Sequence, residues 1–417
     1  MSIKLKPSFL EGEVVIPPSK SYSHRAIICA SLANGKSKID NIILSDDILA
    51  TINALRAIGA KIEINDNCLN ITGVEKIDLK EKLIDCNESG STIRFMIPVL
   101  MLSGYEFHIT GKESLMNRPM SIYDNLINEL NGVYLKKENT LKIKCDLTSK
   151  EYTIPGNISS QFISGLLFVL PLLDGDSKII IENEFESLNY VLMTIEVMKK
   201  FGVKVILENN VITIKGNQKY KETNYYVEGD FSQMAFFAVA GIINGNIKCL
   251  GMNHNSIQGD KAIVKVLKQM GSDIEVIDSG YIFRKGITLG KEINISQTPD
   301  LGPIIGLVSA LSIGVSKIVG AERLRIKESD RLESTFDTLT KLGVDVIKND
   351  DSLIITGKGS LKGNIVDSYN DHRIAMMATI ASLRSDSIIE LTNANVINKS
   401  YPNFYEDFKS LGGIIED

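Results

Sequence analysis

The chain has 417 residues, of which 44% are hydrophobic and 23% charged, and its formal net charge is −5. This length exceeds the size at which one hydrophobic core keeps growing, so two domains are expected, and the composition is ordinary for a soluble globular protein. The acidic balance disfavours a nucleic-acid binder, which usually carries an excess of positive charge.

Several other classes of protein are disfavoured by what the sequence lacks. The longest apolar stretches, 162–173 and 234–243, are too short to span a bilayer, and the first 20 residues contain no apolar region of a signal peptide. The five cysteines are scattered and odd in number, which indicates a reducing cytoplasm rather than a disulfide framework. No pair among the four histidines has metal-ligand spacing, and no Walker-type loop or Gly-x-Gly-x-x-Gly motif occurs. The sequence therefore predicts a cytoplasmic protein without a metal ion or cofactor.

One pattern recurs six times along the chain: an amphipathic helix, then a glycine, then a segment rich in β-branched residues. The glycines of the pattern are Gly59, Gly132, Gly202, Gly271, Gly343 and Gly412. Their spacing of about 70 residues indicates an internal repeat. Each glycine is predicted to end its helix in the left-handed conformation, and the alternating residues after it predict a half-buried strand, in several cases the first strand of a hairpin.

The repeat also predicts the domain organisation. A period of about 70 residues is too long for a simple solenoid, and each unit fits a βαβαββ-like subdomain. Six such units divide naturally into two groups of three, and the segment 225–236 lies near the boundary between the groups.

The first predicted helix with unusual chemistry begins in the segment 17–25, PPSKSYSHR. The prolines stop the preceding strand and a serine can cap the helix. A helix N-terminus favours an anion, and Lys20, Ser21 and Arg25 would point towards it. The alternative is an ordinary capped helix with solvated charges.

Three further segments of the first half resemble this arrangement. In the segment 87–94, Gly90 follows polar residues and would let backbone approach a ligand closely, ahead of Arg94 and an apolar helix. Arg118 lies on a loop before another helix, and Ser159, Ser160 and Gln161 open a third one. Each segment alone is more simply explained by capping, whereas four together favour anion binding.

The second half contains a dense charged segment, 323–331, in which four cations alternate with two acids. A solvated helix face would make Lys327 and Arg331 an unfavourable like-charge pair, so an anion is expected between them. Arg373 precedes an apolar helix, Lys399 lies in a polar turn, and Asp300 lies at the start of an apolar helix.

The cations of these segments share one feature, because each lies in a short stretch rich in small polar residues. They are Lys20, Arg25, Arg94, Arg118, Lys327, Arg331, Arg373 and Lys399. Planar guanidinium groups suit carboxylates and phosphates, and lysine acts as a mobile point charge. The sequence therefore predicts one compact site for small polyanionic molecules.

Seven of the motifs resemble, in order, those of the 5-enolpyruvylshikimate-3-phosphate synthases of the enolpyruvyl transferase family. They are Pro-Ser-Lys-Ser-x-Ser-x-Arg (18–25), Ser-Gly-x-Thr-x-Arg (89–94), Arg-Pro-Met (118–120), Ser-Ser-Gln-Phe (159–162), Lys-Glu-Ser-Asp-Arg (327–331), Asp-His-Arg (371–373) and Lys-Ser-Tyr-Pro (399–402). The match covers essentially the whole chain, and its combination of motifs is highly specific.

The resemblance implies a two-domain inside-out α/β fold, with three βαβαββ repeats in each domain and the ligands in the cleft between them. Residues 19–228 would form the domain on the shikimate 3-phosphate side, and residues 1–18 with 229–417 the other. A monomer is expected, because both halves of the implied site lie in one chain.

The resemblance also implies a reaction. The family transfers the enolpyruvyl group of phosphoenolpyruvate to the 5-hydroxyl of shikimate 3-phosphate, by addition and elimination through a tetrahedral ketal, and releases phosphate. The implied ligands of shikimate 3-phosphate are Ser21, Arg25, Ser159, Ser160, Gln161, Ser187, Tyr190 and Lys327. The implied ligands of phosphoenolpyruvate are Lys20, Gly90, Arg118, Arg331, Arg373 and Lys399. Asp300 would accept the hydroxyl proton and Glu328 would protonate the methylene carbon, with Lys20 and Lys399 also in catalytic positions.

The sequence departs from the family pattern at three positions, and it leaves rivals open. Glu88 stands where many members have Asn, Phe95 where many have Pro, and Arg323 where some have Asn. The sister transferase acting on UDP-N-acetylglucosamine usually has a catalytic cysteine on the loop that here reads GKESLMNRPM, where no cysteine occurs. A non-catalytic binding protein of the same fold would be marked by loss of Asp300 or Glu328, and both are present.

Overall fold

The structure is a computed structural model that describes residues 1–416. The strands of the described chain are β1 (Ile3–Lys6), β2 (Leu10–Val15), β3 (Lys36–Asp40), β4 (Lys61–Asn65), β5 (Cys68–Thr72), β6 (Leu83–Asp85), β7 (Phe107–Thr110), β8 (Val133–Lys137), β9 (Thr140–Lys144), β10 (Glu151–Pro155), β11 (Ser177–Glu182), β12 (Val205–Glu208), β13 (Val211–Ile214), β14 (Asn224–Tyr226), β15 (Gly245–Leu250), β16 (Ile274–Ile277), β17 (Gly280–Arg284), β18 (Glu292–Asn294), β19 (Val315–Val319), β20 (Asp345–Lys348), β21 (Leu353–Thr356), β22 (Ile365–Asp367), β23 (Ile389–Thr392) and β24 (Ile414–Glu416). The α-helices are α1 (Lys20–Ser31), α2 (Asp46–Ala57), α3 (Gly90–Met101), α4 (Glu113–Met116), α5 (Ser121–Glu129), α6 (Ser160–Val169), α7 (Leu188–Lys200), α8 (Phe231–Asn244), α9 (Ala262–Gln269), α10 (Gly302–Ala310), α11 (Arg331–Lys341), α12 (His372–Ala381) and α13 (Phe404–Ser410).

The chain divides into two compact units. Pro18–Val227 forms one unit, and Met1–Pro17 with the described chain from Glu228 onward forms the other. The first is called here the middle unit and the second the terminal unit. Both units combine helices with small sheets, which is the two-domain α/β architecture expected from the sequence.

In residues 1–416, six four-stranded sheets share one topology, three in each unit. In every sheet an edge strand pairs in parallel with its neighbour, and two antiparallel strands complete the sheet, as in β10-β11-β13-β12 and β18-β19-β21-β20. In β11 the buried Ile179 and Ile181 alternate with more exposed residues, which is the pattern of a strand with one face against the core. Each sheet with its two long helices is one βαβαββ repeat, as the sequence pattern predicted.

Strands distant in sequence complete some of the repeats. In the middle unit β14 pairs in parallel with β3, so the last strand of the unit closes its first sheet. In the terminal unit β2 pairs in parallel with β15, and β1 lies between β23 and β24. In the sheet of the last repeat, β1 therefore occupies the position that the second strand of the hairpin occupies in the other five sheets.

The repeated glycines behave as predicted at five of the six positions. Gly59, Gly202, Gly271, Gly343 and Gly412 have φ between 83° and 104°, beyond the range that residues with a side chain adopt easily. The prediction is wrong for Gly132, because the preceding Asn131 takes the left-handed conformation with φ 55°. A side chain at position 132 would instead clash sterically, because a Cβ there would lie 2.8 Å from the Cβ of Cys145.

Six helices are buried over most of their length and form the core of their units: α1, α3 and α6 in the middle unit, and α8, α10 and α12 in the terminal unit. Each is the first helix of its repeat. Within each unit their apolar sides pack together, and the N-terminal turns of α1, α3, α6 and α12 carry several of the candidate site residues. Within residues 1–416, no helix combines the length and apolarity needed to cross a membrane.

Candidate active site

The candidate residues fall on the two units, and each set is described by itself. The middle unit holds Lys20, Ser21, Arg25, Gly90, Arg118, Ser159, Ser160, Gln161, Ser187 and Tyr190. The terminal unit holds Asp300, Lys327, Glu328, Arg331, Arg373 and Lys399.

The N-terminal turn of α1 is built by a serine cap and an ion pair. Ser19 accepts a hydrogen bond from the backbone N–H of Tyr22, which fixes the first turn of the helix. Lys20 directs its Nζ to Oδ2 of Asp47 on α2, at 2.8 Å. The ammonium group is thereby held at the start of the helix, where the helix dipole also favours an anion.

Arg25 is buried one turn further along α1, and its guanidinium joins this helix to α7. Nε donates to Oγ1 of Thr194 at 2.8 Å, Nη1 to the carbonyl of Ser21 at 2.7 Å, and Nη2 to the carbonyl of Tyr190 at 2.9 Å. Burial lowers the pKa of Arg25 to about 10, so the group is still charged at neutral pH. Its contacts bring the segments of Ser21 and Tyr190 together.

Ser187 lies in the same region, at the start of α7. It is buried and takes a left-handed conformation, with φ 54°. This conformation is uncommon for a residue with a side chain and marks a position held by its surroundings.

Gly90, at the first position of α3, lies against two guanidinium groups. A Cβ at this position would lie 2.8 Å from Nη1 of Arg118 and 3.3 Å from Nη1 of Arg94. The cap of the helix is Ser89, which accepts from the N–H of Thr92. Nε of Arg118 is buried and makes no hydrogen bond within the described chain.

Gln161 links this cluster to α6. Its Oε1 accepts from Nη1 of Arg94 at 2.7 Å, and its Nε2 donates to Oγ of Ser91 at 2.9 Å. Ser159 caps α6 by accepting from the N–H of Gln161, and Ser160 is buried behind it. The structure thus brings Gly90, Arg118 and Gln161 together.

Glu88 departs from the family pattern, and it joins the loop of Gly90 to the turn that carries Arg118. Its carboxylate is buried and accepts from Oγ of Ser114 at 3.2 Å. The Nζ of Lys112 lies 3.8 Å from the same Oε1. Ser114 belongs to the short helix α4, which ends two residues before Arg118, so Glu88 ties together two segments that carry candidate site residues.

Asp300 is the centre of the terminal unit's candidate site, because three cations converge on its carboxylate. Lys327 Nζ lies 3.1 Å and Arg331 Nη1 2.9 Å from Oδ1, and Arg373 Nη2 lies 3.0 Å from Oδ2. Burial alone would raise the pKa of Asp300, but the charges of the three cations hold that pKa well below its usual range. Burial also lowers the pKa of Lys327, against the pull of Asp300.

Arg331 is almost fully buried and binds further carboxylates. Its Nε donates to Oδ2 of Asp371 at 2.7 Å, and its Nη2 donates to Oδ1 of Asp371 and to Glu328. Despite burial, the negative charges of Asp371, Glu328 and Asp300 raise the pKa of Arg331. The guanidinium is therefore fixed in position before any ligand binds.

The expectation for the segment 323–331 needs correction in one respect. Lys327 and Arg331 do not lie one turn apart on a helix: a 3₁₀ helix ends at Ile326, and α11 begins only at Arg331. Asp330 caps α11 through the N–H of Glu333, which is why the helix starts there. The anion between the two cations is the carboxylate of Asp300.

Sequence reasoning assigned no role to three residues that orient Arg373. Nη2 of Arg373 donates to Oγ of Ser232 at 3.1 Å, and Ser232 donates in turn to Asp230, the cap of α8. Asp371 caps α12 by accepting from the N–H of Arg373. The signal that could have found them is an Asp directly before a long apolar helix, the pattern of a helix cap.

Lys399 lies at the end of a 3₁₀ helix, Ala394–Lys399, and is largely buried. Its Nζ donates to the carbonyl of Asn370 at 2.5 Å. Asn370 immediately precedes Asp371, so Lys399 is held beside the start of α12, which carries Arg373. Chemically, the terminal unit offers fixed cations around an ionised carboxylate, an arrangement suited to a small anion and a proton acceptor.

No group of His, Cys, Asp and Glu that could hold a metal ion occurs in the part of the chain that the structure describes. The buried cysteines cannot serve as ready nucleophiles, because burial raises the pKa of Cys29, Cys86 and Cys249 above the ordinary range of a thiol.

Comparisons with known proteins agree along the whole chain. The family model of EPSP synthase (3-phosphoshikimate 1-carboxyvinyltransferase) matches residues 5–408. The 3-phosphoshikimate 1-carboxyvinyltransferases of Clostridium novyi and Clostridium acetobutylicum are each 47% identical, over 100% of this chain and 98% of theirs. A solved structure of EPSP synthase from Acinetobacter baumannii is 26% identical and superposes with a TM-score of 0.83, covering 100% of both chains.

Proposed function

The chain belongs to the EPSP synthase family, and we propose how its residues divide the work of that family's reaction. The chain is a transferase that moves the enolpyruvyl group of phosphoenolpyruvate to the 5-hydroxyl of shikimate 3-phosphate and releases phosphate. This step belongs to the shikimate pathway, which leads to chorismate and the aromatic amino acids.

The reaction makes three demands on the protein. It needs cations for two phosphates and two carboxylates, a base for the attacking hydroxyl and an acid that protonates the methylene carbon of phosphoenolpyruvate. In the addition step the 5-oxygen bonds to the central carbon of phosphoenolpyruvate, the hydroxyl loses its proton, and the methylene carbon gains one. In the elimination step the tetrahedral ketal loses phosphate, and a proton leaves the methyl group to restore the double bond.

For shikimate 3-phosphate, the arrangement around Arg25 supports a binding role for the middle unit. Arg25 fixes the segments of Ser21 and Tyr190, and the cap of α6 offers hydroxyl and backbone donors suited to a phosphate. The proposed ligands of this substrate are Ser21, Arg25, Ser159, Ser160, Gln161, Ser187, Tyr190 and Lys327.

For phosphoenolpyruvate, the supporting observation is that Arg118 approaches the backbone of Gly90 and leaves its Nε without a partner. A compact dianion with a carboxylate needs several donors around it, and fixed guanidinium groups supply them in pairs. The proposed ligands are Lys20, Gly90, Arg118, Arg331, Arg373 and Lys399.

Asp300 is the proposed base, and Glu328 the proposed acid. The cations around Asp300 keep it ionised, so it can accept a proton but binds it weakly. A bound anion would share those cations and thereby make Asp300 a better base. Glu328 contacts Arg331, so it lies beside the proposed position of phosphoenolpyruvate, and bound anions there favour a protonated carboxylic acid.

The single observation that carries the residue assignment is the convergence of Lys327, Arg331 and Arg373 on Asp300. The test is an acceptor comparison: purified protein is incubated with phosphoenolpyruvate and either shikimate 3-phosphate or UDP-N-acetylglucosamine, and the products are identified by mass spectrometry. Enolpyruvyl transfer to shikimate 3-phosphate alone is expected, together with its loss in Asp300→Asn. Transfer to the UDP-sugar, or an unaffected Asp300→Asn variant, would contradict the proposal.

We further propose that the protein acts in the cytoplasm, as a monomer, on small molecules alone and without a cofactor or metal ion. Support comes from the scattered cysteines, which are free in the structure, and from the presence of every proposed ligand in one chain. Sedimentation analysis with activity measured on the same fractions tests the monomer directly.

A further inference from the structure

The turn before α12 has a backbone conformation that its sequence does not favour. Tyr369 and Asn370 both have φ of 55°. Asparagine adopts this left-handed region readily and accounts for most of the other non-glycine residues there. Within residues 1–416, Tyr369 is the one aromatic residue with positive φ. A bulky side chain in this region is strained and persists only where the surroundings hold it.

The side chain of Tyr369 is held by a pair of charges on α11. Its hydroxyl donates to Oδ2 of Asp337. The Nζ of Lys341, one turn along the same helix, lies 2.8 Å from that oxygen, 3.4 Å from the hydroxyl and 5.9 Å from the centre of the ring. The backbone N–H of Tyr369 donates to Oδ1 of Asp367 at 2.5 Å. Asp337, Lys341 and Tyr369 are called here the α11 clamp.

The strained turn leads directly to groups of the proposed phosphoenolpyruvate site. The carbonyl of Asn370 accepts from Nζ of Lys399 at 2.5 Å. The next residue, Asp371, binds Nε of Arg331 and accepts from the N–H of Arg373. The direction of the Asn370 carbonyl depends on the φ and ψ of this turn, and so does the position of Asp371.

We propose that Tyr369 is a positioning residue for the cations that bind phosphoenolpyruvate, acting through the α11 clamp and the left-handed turn. The clamp holds the turn in a conformation it would otherwise leave, and the turn presents a carbonyl to Lys399 and a carboxylate to Arg331. The inference rests on the proposed function, since it assigns these cations to phosphoenolpyruvate.

The charge state of the clamp agrees with this role. Although burial alone would raise the pKa of Asp337, its hydrogen bonds from Lys341 and Tyr369 lower it. The same cluster raises the pKa of Lys341, chiefly through its hydrogen bond to Asp337. Both groups therefore keep their charges at neutral pH, and the hydroxyl of Tyr369 faces a permanent acceptor. None of the three residues is among the proposed substrate ligands, so their effect on substrates must be indirect.

The experiment compares three variants with the wild-type enzyme. Tyr369→Phe removes only the hydroxyl, Asp337→Asn removes the charge of its acceptor, and the double variant removes both. Tyr405→Phe is the matched control, because its hydroxyl also donates within the terminal unit, to the carbonyl of Ala394 at 2.9 Å, but outside the clamp. For each protein, kcat, the KM of each substrate and the thermal midpoint are measured.

Loss of a hydrogen bond to a charged acceptor is expected to raise the KM of phosphoenolpyruvate about tenfold in Tyr369→Phe and Asp337→Asn. The KM of shikimate 3-phosphate is expected to stay within about twofold, as are all constants of the control. The KM of phosphoenolpyruvate in the double variant is expected to be no higher than in the more affected single variant, because both substitutions release the same clamp.

The alternative is that the clamp only stabilises the fold. In that case the thermal midpoint falls while both KM values stay unchanged, and this result in either single variant overturns the inference. If Tyr369→Phe fails to fold, the KM values and the thermal midpoint of Asp337→Asn alone decide between the two explanations. A wild-type enzyme with no turnover contradicts the proposed function and removes the inference with it, whereas normal wild-type turnover with unchanged variants contradicts the inference alone.

Discussion

Arg331 and Asp371 form an ion pair that is almost wholly shielded from water, with Nε 2.7 Å from Oδ2 and side-chain exposures of 1% and 0%. Arg331 belongs to a cluster of three cations and three carboxylates, so loss of the Asp371 charge would leave one positive charge of the cluster uncompensated. An uncompensated buried charge is strongly destabilising. Asp371 also caps α12, so one carboxylate fixes both a guanidinium and the start of a helix.

Asp371→Asn is therefore expected to lower the free energy of unfolding by about 3–5 kcal/mol. Urea unfolding followed by circular dichroism measures the change. Asp345→Asn, at an exposed carboxylate of the same unit, serves as the control and should change the free energy by less than about 0.5 kcal/mol. Equal stability of Asp371→Asn and wild type would show that the buried pair is not needed to hold Arg331.

Gly90→Ala is expected to weaken the binding of phosphoenolpyruvate. The new methyl group would lie 2.8 Å from Nη1 of Arg118, so the guanidinium must move away from its present position. The KM of phosphoenolpyruvate should rise about tenfold, while that of shikimate 3-phosphate changes little. Gly286→Ala is the control, since the nearest atom to its added carbon is 3.8 Å away. An unchanged KM for phosphoenolpyruvate in Gly90→Ala would show that this substrate does not bind beside Gly90 and Arg118.

Arg25→Lys is expected to affect the other substrate. A lysine keeps the charge but cannot make the three directed hydrogen bonds to Thr194, Ser21 and Tyr190. The dissociation constant of shikimate 3-phosphate, measured by calorimetry, should rise by about tenfold or more. Arg56→Lys on α2 is the matched control. Equal affinity in Arg25→Lys would mean that charge alone is required at this position.

The charges around Asp300 predict how stability depends on pH. The folded pKa of Asp300 lies well below its usual range. Such a group stabilises the fold fully above its unfolded pKa of about 3.9, and the contribution is lost as pH falls through the folded value. The difference in free energy of unfolding between wild type and Asp300→Asn should be constant from pH 7 to about 5 and shrink below about pH 4. Urea unfolding at several pH values measures it, and a difference that persists at low pH would contradict the electrostatic explanation.

The sequence predicted the repeat and the fold because both depend on local patterns. Apolar alternation and helix-ending glycines act over a few residues, and their sixfold recurrence in the sequence makes each assignment more secure. Gly132 shows where such local patterns fail: the sequence predicted that this glycine would take the left-handed conformation, but the neighbouring Asn131 takes it instead.

The site was less predictable from the sequence, because its geometry depends on distant parts of the chain. The solvated helix face weighed as an alternative for 323–331 does not form, because Asp330 caps α11 and so excludes Lys327 from the helix. The strained conformation of Tyr369 has no local signal, since tyrosine rarely adopts positive φ. Likewise, the link from Glu88 to Ser114 joins residues 26 positions apart and follows from packing alone.

The most direct test of the reaction and of its acid is phosphate release from phosphoenolpyruvate, measured with and without shikimate 3-phosphate, in wild type and Glu328→Gln. Glutamine keeps an oxygen that can accept from Arg331 but has no proton to give to carbon. We predict release by the wild type only when shikimate 3-phosphate is present, and a rate lower by about 100-fold or more in the variant, with the affinity for shikimate 3-phosphate retained. Release without the second substrate, or wild-type rates in Glu328→Gln, would contradict the account.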